Sequence, residues 1–206
     1  MLTVKEVYEA IDAFAPFASQ ESWDNSGLLV GGMAQPADRI LTTLDISEAI
    51  VAQAVAEQVQ LVVAHHPVIF SPLKTLPPDS PVYQLAAHGI AAICVHTPLD
   101  MAPLGLNTFA HTLLEKPLAL QGTQEVLEPS WTDGRGFGWI DTSARTWTPQ
   151  TLAQTLQTAF GKVRYSAAER SIRKIAYCSG SAASMLELAA AKGCDALITG
   201  DIKHDR

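Results

Sequence analysis

The chain has 206 residues, of which 48% are hydrophobic and only 17% charged, and its formal net charge at pH 7 is −7. Such a chain can bury a sizeable core in one domain or two small lobes, which excludes an extended disordered protein. Its acidity argues against nucleic acid as a partner, because that binding needs a basic surface. The charged N-terminus does not resemble a signal peptide, and no apolar run reaches the roughly 18 residues of a membrane span. We therefore expect a cytoplasmic protein without membrane contacts.

The first part of the chain predicts a helix followed by alternating strands and helices. Thr3 and Glu6 have the spacing of a capping box, and Pro16 ends the helical pattern that follows them. The later elements are predicted as strands at 40–44, 61–64 and 91–95, and as helices at about 47–58, 82–88 and 104–114. The second and third strands are wholly apolar, which is typical of a parallel sheet covered on both faces.

The second part of the chain predicts a strand, a helix and a further strand–helix–strand unit. A glycine-rich turn and strand are expected at 133–140, and a helix from Thr148 to about Phe160, with proline at its first position. Cys94 and Cys178 lie in apolar strand-like runs, and the chain has no C-x-x-C pair. We therefore expect these cysteines to be buried, reduced core residues.

Two stretches of the chain follow the same order of elements. The stretch that begins at Arg39 and the stretch that begins at Arg173 each predict a strand, a capped helix and a second strand that ends in polar residues. This similarity suggests an α/β protein of two related lobes with mainly parallel sheets. The first lobe is expected at 1–115, a linker or irregular crossover at 116–132, and the second lobe at 133–206.

The sharpest motif is A-H-H-P, which places His65 and His66 directly after a buried strand. Open α/β sheets carry their sites at this edge. Adjacent strand residues point to opposite faces, so the two rings would serve two metals side by side, or one metal if Pro67 bends the chain. The alternative is a pair of strand-end histidines bonded to loop backbone.

A second motif, H-T-P-L-D, follows the next buried strand and carries His96 and Asp100. A carboxylate beside imidazoles is a normal ligand set for a divalent metal, so we predict that Asp100 joins the two adjacent histidines at one metal site. Asp100 could instead cap the following helix. His96 could be a ligand, a partner of a ligand or a turn residue.

Four weaker features have simpler interpretations. Asp24 and Asn25 are typical of an Asx turn, and Asp45 of a helix entry. The glycine-rich run 134–138 favours a hairpin turn over an anion cradle. The run 179–181 lies at a strand-to-helix turn that could hold a phosphate, but it does not match the G-x-S-x-G pattern of a nucleophile elbow.

Taken together, these motifs resemble a known family, the type 2 GTP cyclohydrolase I homologues or Nif-three-like dinuclear-metal proteins. The resemblance extends in order over nearly the whole chain. It is carried by W-D-N-S-G-L-L-V-G, L-D-I-S-E-A-I-V, V-V-A-H-H-P-V-I-F, C-V-H-T-P-L-D, the loop around G-R-G-F-G, and C-S-G-S-A-A-S-M-L-E-L-A-A-A-K-G-C-D-A-L-I-T-G-D-I-K-H.

The resemblance implies two α/β lobes, a dinuclear metal centre at their junction and a ring-shaped homohexamer. Carried over by motif, His65, His66 and Asp100 are expected to be metal ligands. The family implies two divalent cations per subunit, which the sequence does not distinguish as Zn, Fe, Mn or Ni.

The family pattern continues beyond the end of this sequence with G-H-x-x-[ST]-E, which supplies a further histidine and a bridging glutamate. The sequence given ends at Arg206, so we expect the second lobe to be incomplete and the metal to be held weakly, partially or not at all. We do not expect Asp201 and His204 to replace the two ligands.

The resemblance implies a metal-dependent hydrolase that opens the purine ring of GTP at C8, with His96 as the catalytic proton shuttle. No residue in the sequence indicates purine recognition, and a phosphoester or another cyclic amide fits the site equally well. The alternative is a non-catalytic metal-binding scaffold or a regulatory interaction protein.

Overall fold

The fold consists of two compact units, Met1–Leu99 and Asp100–Arg206, and contains two four-stranded sheets. The structure is a computed structural model that describes residues 1–131, 133–166 and 169–202. None of the helices within these ranges combines the length and the apolar character that a bilayer crossing requires. The predicted α/β class with two sheet-containing lobes is confirmed.

The sheet of the first unit has the strand order β1-β4-β3-β2. Its strands are β1 (Gly27–Val30), β2 (Ile40–Thr43), β3 (Leu61–Ala64) and β4 (Ala91–Cys94). The pairs β2–β3 and β3–β4 are parallel, and β1 adds to β4 antiparallel. The predicted parallel core is therefore present, and the carboxyl ends of β2, β3 and β4 lie at one edge.

Local sequence signals explain where the helices of this unit begin. They are α1 (Val4–Phe14), α2 (Glu48–Ala56) and α3 (Pro81–Ala87). The predicted capping box starts α1, with Thr3 and Glu6 each bonded to the other's backbone amide. Ser47 and Ser80 cap α2 and α3 through their hydroxyl oxygens.

The core of the first unit lies between its sheet and its helices. Val62, Ala92 and Cys94 of the central strands pack with Val51 of α2 and Leu85 of α3, and all are buried. Burial raises the pKa of the Cys94 thiol to about 11, so the thiol stays protonated as an inert core group.

The sheet of the second unit has the order β5-β6-β7-β8. Its strands are β5 (Glu125–Pro129), β6 (Gly136–Trp147), β7 (Ile172–Cys178) and β8 (Ala196–Thr199). Parallel pairing is restricted to β7–β8, because the long β6 pairs antiparallel with both of its neighbours. The sheet is therefore mixed, and β5 lies in a region for which the sequence predicted no strand.

The glycine-rich run 134–138 belongs to a hairpin, as predicted. The β5 and β6 backbones approach so closely that a Cβ at Gly136 would meet the Glu128 carbonyl oxygen at 1.9 Å. Gly138 has a φ of +67°, and a Cβ there would meet the Tyr177 carbonyl oxygen at 2.3 Å. These glycines are explained by strand packing, and no anion is needed to account for them.

The predicted repeat of strand, helix and strand is present in both units. Ile40 pairs with Leu61 in the first unit, and Ile175 pairs with Ala196 in the second, at the same sequence separation and both in parallel. The helices of the second unit are α5 (Leu106–Glu115), α6 (Pro149–Phe160) and α7 (Leu186–Ala191). The predicted core position of Cys178 is confirmed, and burial raises the pKa of its thiol to about 12.

A buried ion-pair geometry links α5 to the second sheet. The His111 ring on α5 lies 2.9 Å from an oxygen of Asp141 on β6, and the aspartate side chain is fully buried. Asp141 also accepts hydrogen bonds from the backbone of Gly122 and from the Thr123 hydroxyl. Burial acts to raise the pKa of Asp141, but the hydrogen bonds from His111, Thr142 and Thr123 outweigh it and lower the pKa below its ordinary value.

Replacing Asp141 with Asn should lower the free energy of unfolding by about 1–3 kcal/mol at neutral pH, because an amide is a weaker acceptor for these donors. Urea denaturation followed by circular dichroism measures the difference. A lowered folded-state pKa stabilises the protein above the pH at which an unfolded aspartate titrates, and this contribution is lost as the pH falls through the folded-state pKa. The gap between the two proteins should therefore close in acid, and a gap that does not change with pH would contradict this account.

Candidate metal centre

The candidate site lies where β2, β3 and β4 end. His65 and His66 follow β3 directly, and His96 follows β4 after one intervening residue. The strand-like pairing continues past the strands, because the Val95 amide donates to the Ala64 carbonyl at 2.8 Å. Parallel strands in register therefore bring residues 30 positions apart in the sequence to the same sheet edge.

Three imidazole rings meet at this edge. The ring centroids of His65 and His66 are 4.9 Å apart, and that of His96 lies 5.2 Å from the first and 5.6 Å from the second. One ligand atom from each side chain lies within 4.8 Å of the other two. The chain bends at His65 and His66 as it leaves the strand, so their rings are not held on opposite faces of the sheet.

The orientation of each ring is set by an acceptor at Nδ1. His65 Nδ1 lies 3.0 Å from the Val95 carbonyl oxygen, and His66 and His96 Nδ1 lie 2.7 and 2.8 Å from aspartate oxygens. A carbonyl or carboxylate oxygen accepts, so Nδ1 carries the proton and the lone pair of a neutral ring lies on Nε2. In metal sites, a histidine ligand is oriented by a hydrogen bond from the ring nitrogen that does not bind the metal.

Asp24 is the acceptor for His96, and its side chain is fully buried. The carboxylate also accepts from the Asn25 amide, the Ser26 hydroxyl, and both the amide and the hydroxyl of Thr97. Burial acts to raise the pKa of Asp24, but the hydrogen bonds from His96, Thr97 and Asn25 outweigh it and hold the pKa far below its ordinary value. An ionised carboxylate therefore supports His96 from inside the protein.

Asp45 is the acceptor for His66, and it stands in a different environment. Its side chain is 64% exposed, and that of His66 is 45% exposed. Asp45 follows β2 in the chain, so all three parallel strands of the first unit end in residues of the site. In the sequence alone, Asp24 is typical of a turn and Asp45 of a helix entry. The ends of three adjacent parallel strands were the signal that could have identified Asp45.

Asp100, the third predicted ligand, lies in α4 (Thr97–Met101), and its side chain contacts the turn after β7. One of its carboxylate oxygens accepts from the Ser179 hydroxyl at 2.9 Å. Asn107 donates to the Asp100 carbonyl and accepts from the Ser179 amide. Ser179, the first residue of the run 179–181, is therefore held in place by hydrogen bonds to Asp100 and Asn107. Asp201 lies in a described range, and His204 lies outside the described residues.

Among the described residues, the site is thus a cluster of three oriented imidazoles at the parallel strand ends of a mixed α/β protein. A sequence model of the family Duf34/NIF3 (NGG1p interacting factor 3) matches residues 2–206, so the chain belongs to this family. The family resemblance predicted from the motifs is confirmed.

Named relatives and a solved structure agree with this assignment. The chain is 34% identical over 211 residues to GTP cyclohydrolase 1 type 2 of Helicobacter pylori, with 99% of this chain and 79% of that protein covered. It is 33% identical over 219 residues to the GTP cyclohydrolase 1 type 2 homolog of Streptococcus pneumoniae, with 98% and 78% covered. A Bacillus cereus protein related to NIF3 shares the fold, with a TM-score of 0.87, 18% identity, and coverage of 100% of this chain and 84% of that one.

We expect substitution of the two aspartates that hold the histidines to lower the free energy of unfolding by different amounts. Asp24→Asn should lower the free energy of unfolding by about 3 kcal/mol or more, because it leaves buried donors without an ionised acceptor. Asp45→Asn is the matched control, and it should change stability by no more than about 0.5 kcal/mol because the pair is exposed to solvent. Chemical denaturation of both variants measures this contrast, and equal costs would contradict the different roles of the two carboxylates.

Proposed function

We propose that His65, His66 and His96 bind a divalent transition-metal cation through Nε2. The proposal rests on two observations. An acceptor lies within hydrogen-bond distance of Nδ1 in each of the three rings. One ligand atom from each ring lies within 4.8 Å of the ligand atoms of the other two. Neutral imidazoles are ligands for Zn, Fe and Ni, and three of them form a normal catalytic set. A bound cation supplies Lewis acidity, which polarises a substrate bond and eases ionisation of water.

Asp100 is our proposed carboxylate ligand, and a second cation per subunit is proposed with it from the family resemblance. Asp100 follows His96 by four residues and lies in α4, which begins directly after that histidine. The Ser179 hydroxyl orients its carboxylate, which is the support that a ligating carboxylate needs. A negative carboxylate would also offset the charge of the cations.

We further propose that the site is that of a hydrolase acting on a nucleotide of the GTP type. The name of the Helicobacter pylori relative supports this reaction class. In this chain, Asp24 would hold the His96 ring so that Nε2 faces the bound cation. The family resemblance also supports assembly into a homohexamer, and we propose that the exposed apolar side chains of Phe109 and Leu113 on α5 contribute to contacts between copies.

Replacing His65, His66 or His96 with Ala should weaken zinc binding, because each change removes a ligand. The loss should exceed the roughly 10–100-fold that is typical when a residue hydrogen-bonded to a ligand is removed. Competition titration against a chelator measures the affinity, and circular dichroism checks that each variant is folded. His88→Ala is the matched control, since that exposed histidine lies at the end of α3 with its Nδ1 near the Gln84 carbonyl.

The metal proposal is wrong if the three variants bind zinc as tightly as the original chain. If His96→Ala alone retains the metal but loses turnover, His96 is the proton carrier that the family resemblance implied. Asp100→Ala should weaken binding in the same titration, and Ser179→Ala should have the smaller effect of an outer partner.

Incubation of the metal-loaded chain with GTP tests the hydrolase proposal separately. Addition of one water at C8 opens the ring to a formamide, and a second hydrolysis releases formate and leaves an amine. We expect formate release and loss of the guanine absorbance, both of which depend on the metal and on His96. A chain that binds the metal tightly but leaves GTP and its phosphoesters intact would be a binding protein and not this hydrolase.

A further inference from the structure

Two large aromatic side chains lie exposed beside the histidine cluster. Trp23 is 55% exposed and Phe70 is 53% exposed, although both are residue types that normally bury their rings. The Trp23 ring centroid lies 5.8 Å from that of His96, with the ring planes at 77°, and 6.2 Å from that of Phe70. The two side chains therefore form a continuous aromatic surface next to the site, which we call the aromatic shelf.

The backbone that carries the aromatic shelf is anchored to the site. The Trp23 turn is bonded to the segment after β4, because the Glu21 amide donates to the Thr97 hydroxyl at 3.1 Å and Asp24 accepts from His96. On the other side, the Asn25 side-chain amide donates to the Ile69 carbonyl at 2.6 Å. The shelf therefore keeps a fixed position relative to His96 without being buried.

This combination is typical of a surface for stacking a ring. Aromatic pairs gain energy in offset or edge-to-face contact, and exposed aromatic side chains stack on planar bases without hydrogen bonds that read their edges. Trp23 and Phe70 are already in contact with each other, so a ligand ring would lie on their exposed faces. A flat ring at this position would bring its substituents towards the three imidazoles.

We propose that Trp23 and Phe70 form a binding subsite for the flat aromatic or heteroaromatic ring of the ligand that reacts at the histidine cluster. The inference rests on the proposed function for the reacting end of the ligand, whereas the ring subsite itself requires no metal. It assigns to the W-D-N segment a role in ligand selection, in addition to the role of Asp24 in holding His96.

The test compares guanosine 5′-monophosphate with ribose 5-phosphate, which share the sugar and the phosphate and differ in the ring. We expect saturation-transfer NMR to detect contact at the base proton H8, and calorimetry to give tighter binding of the nucleotide. Trp23→Ala and Phe70→Ala should weaken nucleotide binding by about 5- to 100-fold, since stacking on one aromatic side chain is worth that much. Binding of ribose 5-phosphate and of zinc should change less than about twofold.

Milder variants keep the test valid if alanine disturbs folding. Trp23→Phe should retain part of the nucleotide affinity because a ring remains, and Phe70→Leu should lose it while keeping apolar volume. Phe14→Ala, at another exposed aromatic residue of the first unit, is the matched control and should leave the nucleotide affinity unchanged.

The other possible outcomes distinguish failure of the ring subsite from failure of the metal site. Equal binding of the two probes, or nucleotide binding unaffected by both shelf variants, overturns the ring subsite while the metal site stands. Loss of nucleotide binding in Trp23→Ala, in a chain that does not bind zinc, supports the subsite and contradicts the proposed metal function. A lower oligomeric mass in Trp23→Ala without any change in nucleotide affinity would show that a second copy covers the shelf, which also overturns the proposal.

Discussion

The geometry of the site depends on one buried carboxylate. The Asp24 side chain has no solvent contact, and an ionised group in that position is tolerated only when donors surround it. The donors come from its own turn and from the adjacent residues His96 and Thr97, so satisfying the charge fixes two segments together. The orientation of His96 and the position of Trp23 are both consequences of this requirement.

The remaining rings are positioned by the parallel sheet. In-register pairing of β3 and β4 places the Val95 carbonyl within reach of His65, and the end of β2 supplies Asp45 to His66. The three histidines thus have three different kinds of support: backbone, an exposed carboxylate and a buried one. We expect only the buried carboxylate to contribute strongly to the stability of the fold, because the other acceptors are backbone or exposed to solvent.

Local patterns in the sequence were sufficient to predict most elements and to single out the adjacent histidines as candidate site residues. Capping residues, apolar strands and polar strand ends predicted α1, β3 and β4, together with His65 and His66 as site residues. The supporting aspartates were missed because Asp24 meets His96 across 72 residues and Asp45 meets His66 across 21. In its local sequence each aspartate is explained by a turn, and the hydrophobic periodicity of the sequence gives no information about contacts between residues so far apart. β5 was missed because its charged residues and Pro129 are typical of an edge strand.

X-ray absorption spectroscopy of the zinc-loaded chain tests the central claim most directly, because it reports the ligand atoms of the bound cation. The account predicts imidazole nitrogen scattering at about 2.0–2.1 Å, and fewer imidazoles in His65→Ala, His66→Ala and His96→Ala. Sulfur scattering at about 2.3 Å, or a spectrum that none of the three changes alters, would contradict it.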